Sequence, residues 1–107
     1  MNDYLQVVTT VQSKEDARRI ADRLVEKRLA ACVQIAGPIT SVYRWRGKVE
    51  SADEWQLIAK TRCALYEAVE REIRAGHPYE VPEIVGLPIV AASADYLAWI
   101  GEETVGE

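Results

Sequence analysis

The sequence predicts an α+β sandwich in which a strand–helix–strand unit occurs twice, giving a four-stranded antiparallel sheet with two helices on one face. Three observations carry that prediction. A β-branched run, YLQVVTTV, leads into a helical periodicity with a capping signal at its start. Two unusually long extended arms fold back on each other at Arg46-Gly47-Lys48. A second helical period and a last apolar strand then repeat the opening order. The 107 residues read as one domain, 1–107, without repeats, linkers or low-complexity tracts.

Residues 4–11 are rich in β-branched side chains and form the first strand. Ser13 offers an N-cap, with Asp16 three residues on. From there Ala17, Ile20, Ala21, Leu24, Val25 and Leu29 recur at helical spacing opposite charged residues, so the helix spans about 14–29. The second strand, 30–37, is interrupted at Gly37-Pro38 and resumes to Trp45; its partner returns through 49–61. Leu65, Ala68, Val69 and Ile73 mark the inner stripe of a second helix that ends near Gly76, a residue suited to a left-handed position after a helix. Residues 77–82 are a connector, 83–91 a last strand with Pro88 at a bulge or edge. Ser93 caps an extra C-terminal helix carrying Tyr96, Leu97, Trp99 and Ile100. The order is the ferredoxin-like βαββαβ pattern.

Alternation along the third strand sends Trp55, Leu57 and Ala59 toward the helices. Glu54, Gln56, Ile58 and Lys60 then face the uncovered side, with Gln6, Val8, Thr10, Cys32 and Gln34. That face mixes small polar and apolar groups, as a surface closed by another subunit does. Arms covering roughly 31–46 and 48–61 far exceed the usual strand of about 5–6 residues. Their outer part needs another chain to cover its edges.

With 13 basic and 17 acidic residues the net charge is −4, and no basic cluster of the kind that binds nucleic acid is present. The longest apolar run, 84–92, is too short to span a bilayer and contains Gly86 and Pro88. The start, MNDYLQVV, lacks the pattern of a signal peptide, and two cysteines without an export signal point to a reducing, cytoplasmic setting without a disulfide.

Five strings, EKRLAACV (26–33), SVYRWRGKVE (41–50), EWQLIAKT (54–61), HPYEVPEI (77–84) and YLAWI (96–100), resemble the CutA family of divalent-cation tolerance proteins in order and spacing. The resemblance implies a tight, PII-like homotrimer with long hairpins pairing between neighbours and sheets facing inward. It also implies tolerance to, and binding of, copper or other divalent metal ions, with no enzymatic reaction. An alternative implication is a PII-like signalling or scaffold protein that binds a small ligand in the cleft between subunits.

His77, the sole histidine, is the first candidate metal ligand, since a neutral imidazole suits Cu²⁺ or Zn²⁺. The family's copper reading adds a cysteine in the first strand and a second histidine before the retained one; Thr9 and Gly76 stand there in this chain. The competing reading has His77 packed on Tyr79 or Trp99 and hydrogen-bonded. Cys32 is a candidate soft ligand, or a small buried hydrophobe like Cys63, and Glu54, Glu80 and Glu83 are candidate oxygen ligands. Tyr43, Trp45, Lys60, Tyr79 and Glu83 match family positions and compose a ligand or intersubunit pocket. No nucleophile motif or phosphate-binding loop supports catalysis.

Overall fold

The computed structural model describes residues 3–105, so the ends of the expected 1–107 domain lie outside the described residues. Along the chain run β1 (Tyr4–Val11), α1 (Lys14–Glu26), β2 (Cys32–Trp45), β3 (Lys48–Arg62), a 3₁₀ turn (Cys63–Leu65), α2 (Tyr66–Gly76), β4 (Ile84–Pro88) and α3 (Ala94–Glu103). The four strands make one antiparallel sheet in the order β2-β3-β1-β4. The α+β class and the four-stranded sheet are those expected from the sequence.

Local chemistry explains the element ends. The Ser13 hydroxyl accepts from the Asp16 N–H at 3.1 Å, satisfying one of the amides that a helix start leaves free. α1 stops at Glu26, earlier than its apolar period suggests, because Arg28 turns left-handed at φ 59°. The amides of Leu29 and Ala30 then both reach back to the Leu24 carbonyl, and Leu29 is still buried, now from a turn rather than a helix. Gly76 is the last residue of α2, not a left-handed cap beyond it. Its carbonyl accepts from Arg19 at 2.9 Å, and a Cβ there would stand 3.1 Å from that guanidinium. Ser93 occupies the start of α3 through its carbonyl, which receives the Leu97 amide, while its side chain makes no capping bond. β4 is shorter than the expected 83–91, ending at Pro88 as an edge strand paired to β1 alone.

The core lies between the sheet and the two helices. Val7, Val11, Leu57 and Ala59 of the sheet meet Ala17, Ile20, Leu24, Val69 and Ile73, all buried, with Trp55 partly buried against them. Burial of such side chains contributes about 1.5–3 kcal/mol each. α3 lies outside this cluster. Its Ile100 is fully buried, and Arg62 donates to the Thr104 carbonyl and hydroxyl while Arg28 donates to the carbonyls of Glu102 and Glu103.

The β2–β3 hairpin runs past this core. β1 accompanies β3 only from Trp55 onward, so residues 39–54 pair with nothing but each other. The molecule is accordingly long, 44 × 25 × 22 Å. The two-residue turn has Arg46 and Gly47 both at positive φ, the arrangement whose twist matches a hairpin.

β2 is continuous through Gly37-Pro38, with a register shift between Ala36 and Ile39. A Cβ at position 37 would lie 2.7 Å from the Trp55 ring, so only glycine fits beneath that indole. The bulge inverts the facing of everything beyond it. Before it Cys32, Gln34 and Ala36 oppose Lys60, Ile58 and Gln56; after it Ile39, Ser41, Tyr43 and Trp45 oppose Glu54, Ala52, Glu50 and Lys48. The odd-numbered residues of the outer arm thereby share the open face with the even-numbered residues of the inner arm.

Candidate functional site

That inversion places Tyr43 and Trp45 on the same face as Glu54, where the connector from α2 crosses the sheet. The connector is held by two hydrogen bonds on one imidazole. His77 follows α2 in an extended conformation, and its Nδ1 accepts the Tyr79 N–H at 3.1 Å. Nε2 lies 2.8 Å from the Thr10 carbonyl, an acceptor, so Nε2 carries the proton and donates. Burial pushes the His77 pKa down, while the Thr10 carbonyl and the acids Asp16 and Glu54 oppose that shift.

One residue pair further on, the Tyr79 hydroxyl donates to Glu54 Oε2 at 2.7 Å. Glu54 is only 7% exposed, although it lies on the face opposite α1 and α2. Burial and the neighbouring carboxylate together raise the Tyr79 pKa far above the usual phenol range, so the phenol stays a donor. The His77 and Tyr79 rings meet edge to face with centroids 4.7 Å apart.

The connector and the hairpin enclose a cleft of about 760 Å³. Tyr43, Trp45, Tyr79 and Glu83, four of the five pocket residues expected from sequence, line it together with Glu54 and Glu80. At its lip Arg46 donates to Glu80 at 2.8 Å and lies 5.1 Å from the centre of the Trp45 ring. Lys60 stands apart. It is directly opposite Cys32, with its ammonium 6.0 Å from the Tyr96 ring, at the other end of the open face. Neither it nor Cys32 lines the cleft.

The candidate metal ligands do not converge in this chain. The Nδ1 lone pair of His77 is taken by Tyr79, and Nε2 carries a proton directed at Thr10, so the ring has no free nitrogen to offer. Thr9, at one family ligand position, turns its side chain to the helix-covered side; its hydroxyl is buried and has no hydrogen-bond partner. Gly76 supplies no side chain at the other. Among the described residues no group of three or more His, Cys, Asp or Glu side chains is arranged to hold a metal ion. The residues present therefore do not fit a metal centred on His77.

The Glu54–Tyr79 contact is the feature that sequence reading missed. Alternation puts Glu54 on the open face, but nothing in a period of two says that a connector 25 residues later will bury it. Cys32 and Cys63 are not joined by a disulfide. Among the described residues no helix is long and apolar enough to cross a membrane.

Comparison with known proteins places this architecture. The profile described as CutA1 divalent ion tolerance protein matches residues 5–103. The divalent-cation tolerance protein CutA of Thermus thermophilus is 48% identical over 98 residues, covering 92% of this chain and 95% of that one. The chloroplastic Protein CutA of Arabidopsis thaliana is 44% identical over 98 residues, and there the match covers 92% of this chain but 54% of the relative. The solved structure of the periplasmic divalent cation tolerance protein CutA from Archaeoglobus fulgidus superposes with a TM-score of 0.92 at 42% identity, over 94% of this chain and 98% of that one. With that profile match and these identities, the chain belongs to the CutA1 divalent ion tolerance family.

Proposed function

We propose that this protein acts in divalent-cation tolerance as a homotrimer, without catalysis, in the cytoplasm. The observation that carries the proposal is the hairpin beyond Ile39 and Trp55. Both of its outer edges have unpaired backbone groups, and Val42 and Val49 are 70% and 66% exposed. A strand pair of that length with open edges is a template for another chain. Three copies, each closing its neighbour's edge and the open sheet face, supply that cover and give the PII-like assembly that the family resemblance implies. Divalent ions, copper among them, are then met by groups that the trimer brings together, because the described residues of one chain present no preformed donor set. Two thiols and no disulfide favour the reducing cytoplasm as the site of action.

The test joins mass to binding. Light scattering at micromolar concentration is expected to give three times the chain mass, and a monomer would sink the assembly. Calorimetric titration with Cu²⁺ is expected to give the same uptake in wild type and His77→Ala. A clear loss in the variant would return His77 to the role of ligand and require Nδ1 to release Tyr79.

A second reading is favoured by the cleft itself. Its mixture of aromatic walls and a few polar groups is that of a small-ligand site. A PII-like sensor or scaffold would use it, and ligands of the folded state would raise the melting temperature.

A further inference from the structure

The charge inside the cleft is unbalanced at one point. Glu54 is nine-tenths buried, yet its carboxylate receives only a neutral phenol, and no cationic side chain pairs with it among the described residues. The Tyr79 phenol keeps its proton and is the donor in the contact with Glu54. A buried carboxylate with one neutral donor is costly, and its ordinary remedy is a cation. Elsewhere in the cleft Glu80 is already paired with Arg46, while Glu83 and Arg44 also line the walls. Glu80 and Glu83 are exposed, so Glu54 is the buried acid of the cleft that lacks a cationic partner among the described residues.

Around that charge the walls are aromatic. Tyr43 and Trp45 stand on the open face beyond the bulge, and Tyr79 closes the connector side. Aromatic faces attract weakly hydrated cations, and the cleft displays the interaction in its own lip, where the Arg46 guanidinium sits on Trp45 and against Glu80. A divalent metal ion asks for something else, namely several oxygen donors converging on one point. The described residues contain no such group.

We propose that the cleft between the hairpin and the 77–83 connector is a seat for an organic ammonium ion. The inference rests on the reading of the cleft as a ligand site. The ammonium group donates to Glu54 from inside the cleft, its alkyl part lies against Tyr43 and Tyr79, and Trp45 with Arg46 forms the rim. One charge-assisted hydrogen bond in a partly dry site, added to cation–π contact, gives recognition of charge and shape together. The bulge at Gly37 is part of the site's construction, since without it Tyr43 and Trp45 would face the opposite side.

The experiment uses the full chain with labelled tyrosine rings, titrated by NMR with n-butylammonium chloride. Sodium chloride and magnesium chloride at equal ionic strength serve as references, and light scattering follows the same samples. Saturable shifts of the Tyr43 and Tyr79 rings are expected with butylammonium alone. Glu54→Gln keeps an acceptor for the Tyr79 hydroxyl but removes the charge, and is expected to weaken binding by about tenfold, equivalent to about 1.4 kcal/mol. Tyr43→Leu, outside the core, is expected to weaken binding, with light scattering on the same variant reading its assembly separately. Shifts that sodium reproduces, or an unchanged affinity in Glu54→Gln, overturn the proposal. If sodium acetate or butanol saturates the same rings and butylammonium does not, the cleft remains a ligand site and the ammonium assignment falls. If magnesium alone does so, the site belongs to metal ions. Failure of every probe overturns the ligand reading and the ammonium assignment together, with the light scattering showing separately whether the assembly stands.

Discussion

The sandwich body and the projecting hairpin are made from the same two strands and obey different rules. Inward from Trp55 as far as Lys60, β3 runs between β1 and β2 with α1 and α2 over one face, and Leu57 and Ala59 are about 1% exposed. Outward of Trp55 the strand has one neighbour and no helix, and Val42 and Val49 stand in solvent. The β2–β3 pairing continues through both halves, but apolar alternation does not: the outer part of β3, residues 48–54, has only Val49 and Ala52 as apolar side chains. Extended pairing therefore persists without alternation, while burial is supplied by what lies above the strand; outward of Glu54 this chain does not supply it.

The sharpest break of that comparison is in the body. Leu24→Ala empties a fully buried position where α1 meets the sheet, and is expected to cost about 2–5 kcal/mol in chemical unfolding. A loss below 1 kcal/mol would mean that the helices are not what stabilises the sheet. The hairpin answers differently to mutation. Val42→Asp with Val49→Asp is expected to leave secondary structure intact by circular dichroism, because exposed substitutions change a single chain's stability by only about 0.5 kcal/mol. The same pair is expected to shift mass in light scattering from the proposed trimer toward monomer. An unchanged trimer would show that the outer hairpin is not a subunit contact.

Much of the fold was legible because it depends on short-range periods. The 3.6-residue stripe of α1, the cap at Ser13 and the alternation of β3 each follow from residues near in sequence. What escaped notice depends on contacts between distant residues. Arg28 ends α1 by adopting positive φ, which a run of good helix formers does not announce. Gly37-Pro38 reads in the sequence as an interruption of the strand; that it is a bulge within a continuous β2, turning Tyr43 and Trp45 to the open face, required the register. In the site, Tyr43, Trp45, Tyr79 and Glu83 were identified as one pocket through family strings, and Lys60 was grouped with them although it lies toward Tyr96. Glu54 was read as a face-dwelling acid because its burial comes from the path of a connector, and connectors have no period.

A smaller effect is expected from Thr9, again in the body. Its hydroxyl is buried without a hydrogen-bond partner, so it carries a desolvation cost that no bond offsets. Thr9→Val keeps the shape and removes the polar atom. The expected outcome is a gain of up to about 1 kcal/mol in chemical unfolding, measured alongside Leu24→Ala. A loss of stability would reveal that the hydroxyl has a partner in the assembled protein.

The smallest expected effect lies at the seam between the two regions. His77 ties the connector to β1 through Thr10, and Tyr79 ties it to the root of the hairpin through Glu54. The folded pKa of His77 is lowered below its ordinary value of 6.5, chiefly by burial. Below that ordinary value the unfolded chain therefore binds more protons than the folded one, and stability rises with pH through this window. The contribution is complete above about pH 6.5 and is lost as pH falls through the lowered folded value. Protonation also puts a hydrogen on Nδ1, where it confronts the Tyr79 N–H, so the two donors must separate and the connector must lift. Melting curves from pH 7.5 to 5 are expected to show a smaller pH dependence in His77→Gln than in wild type. Asp16, which faces His77 and is itself held low by Arg19, stays ionised across that window, so His77 alone supplies the difference. Parallel curves would show that the ring's two hydrogen bonds do not join body to hairpin.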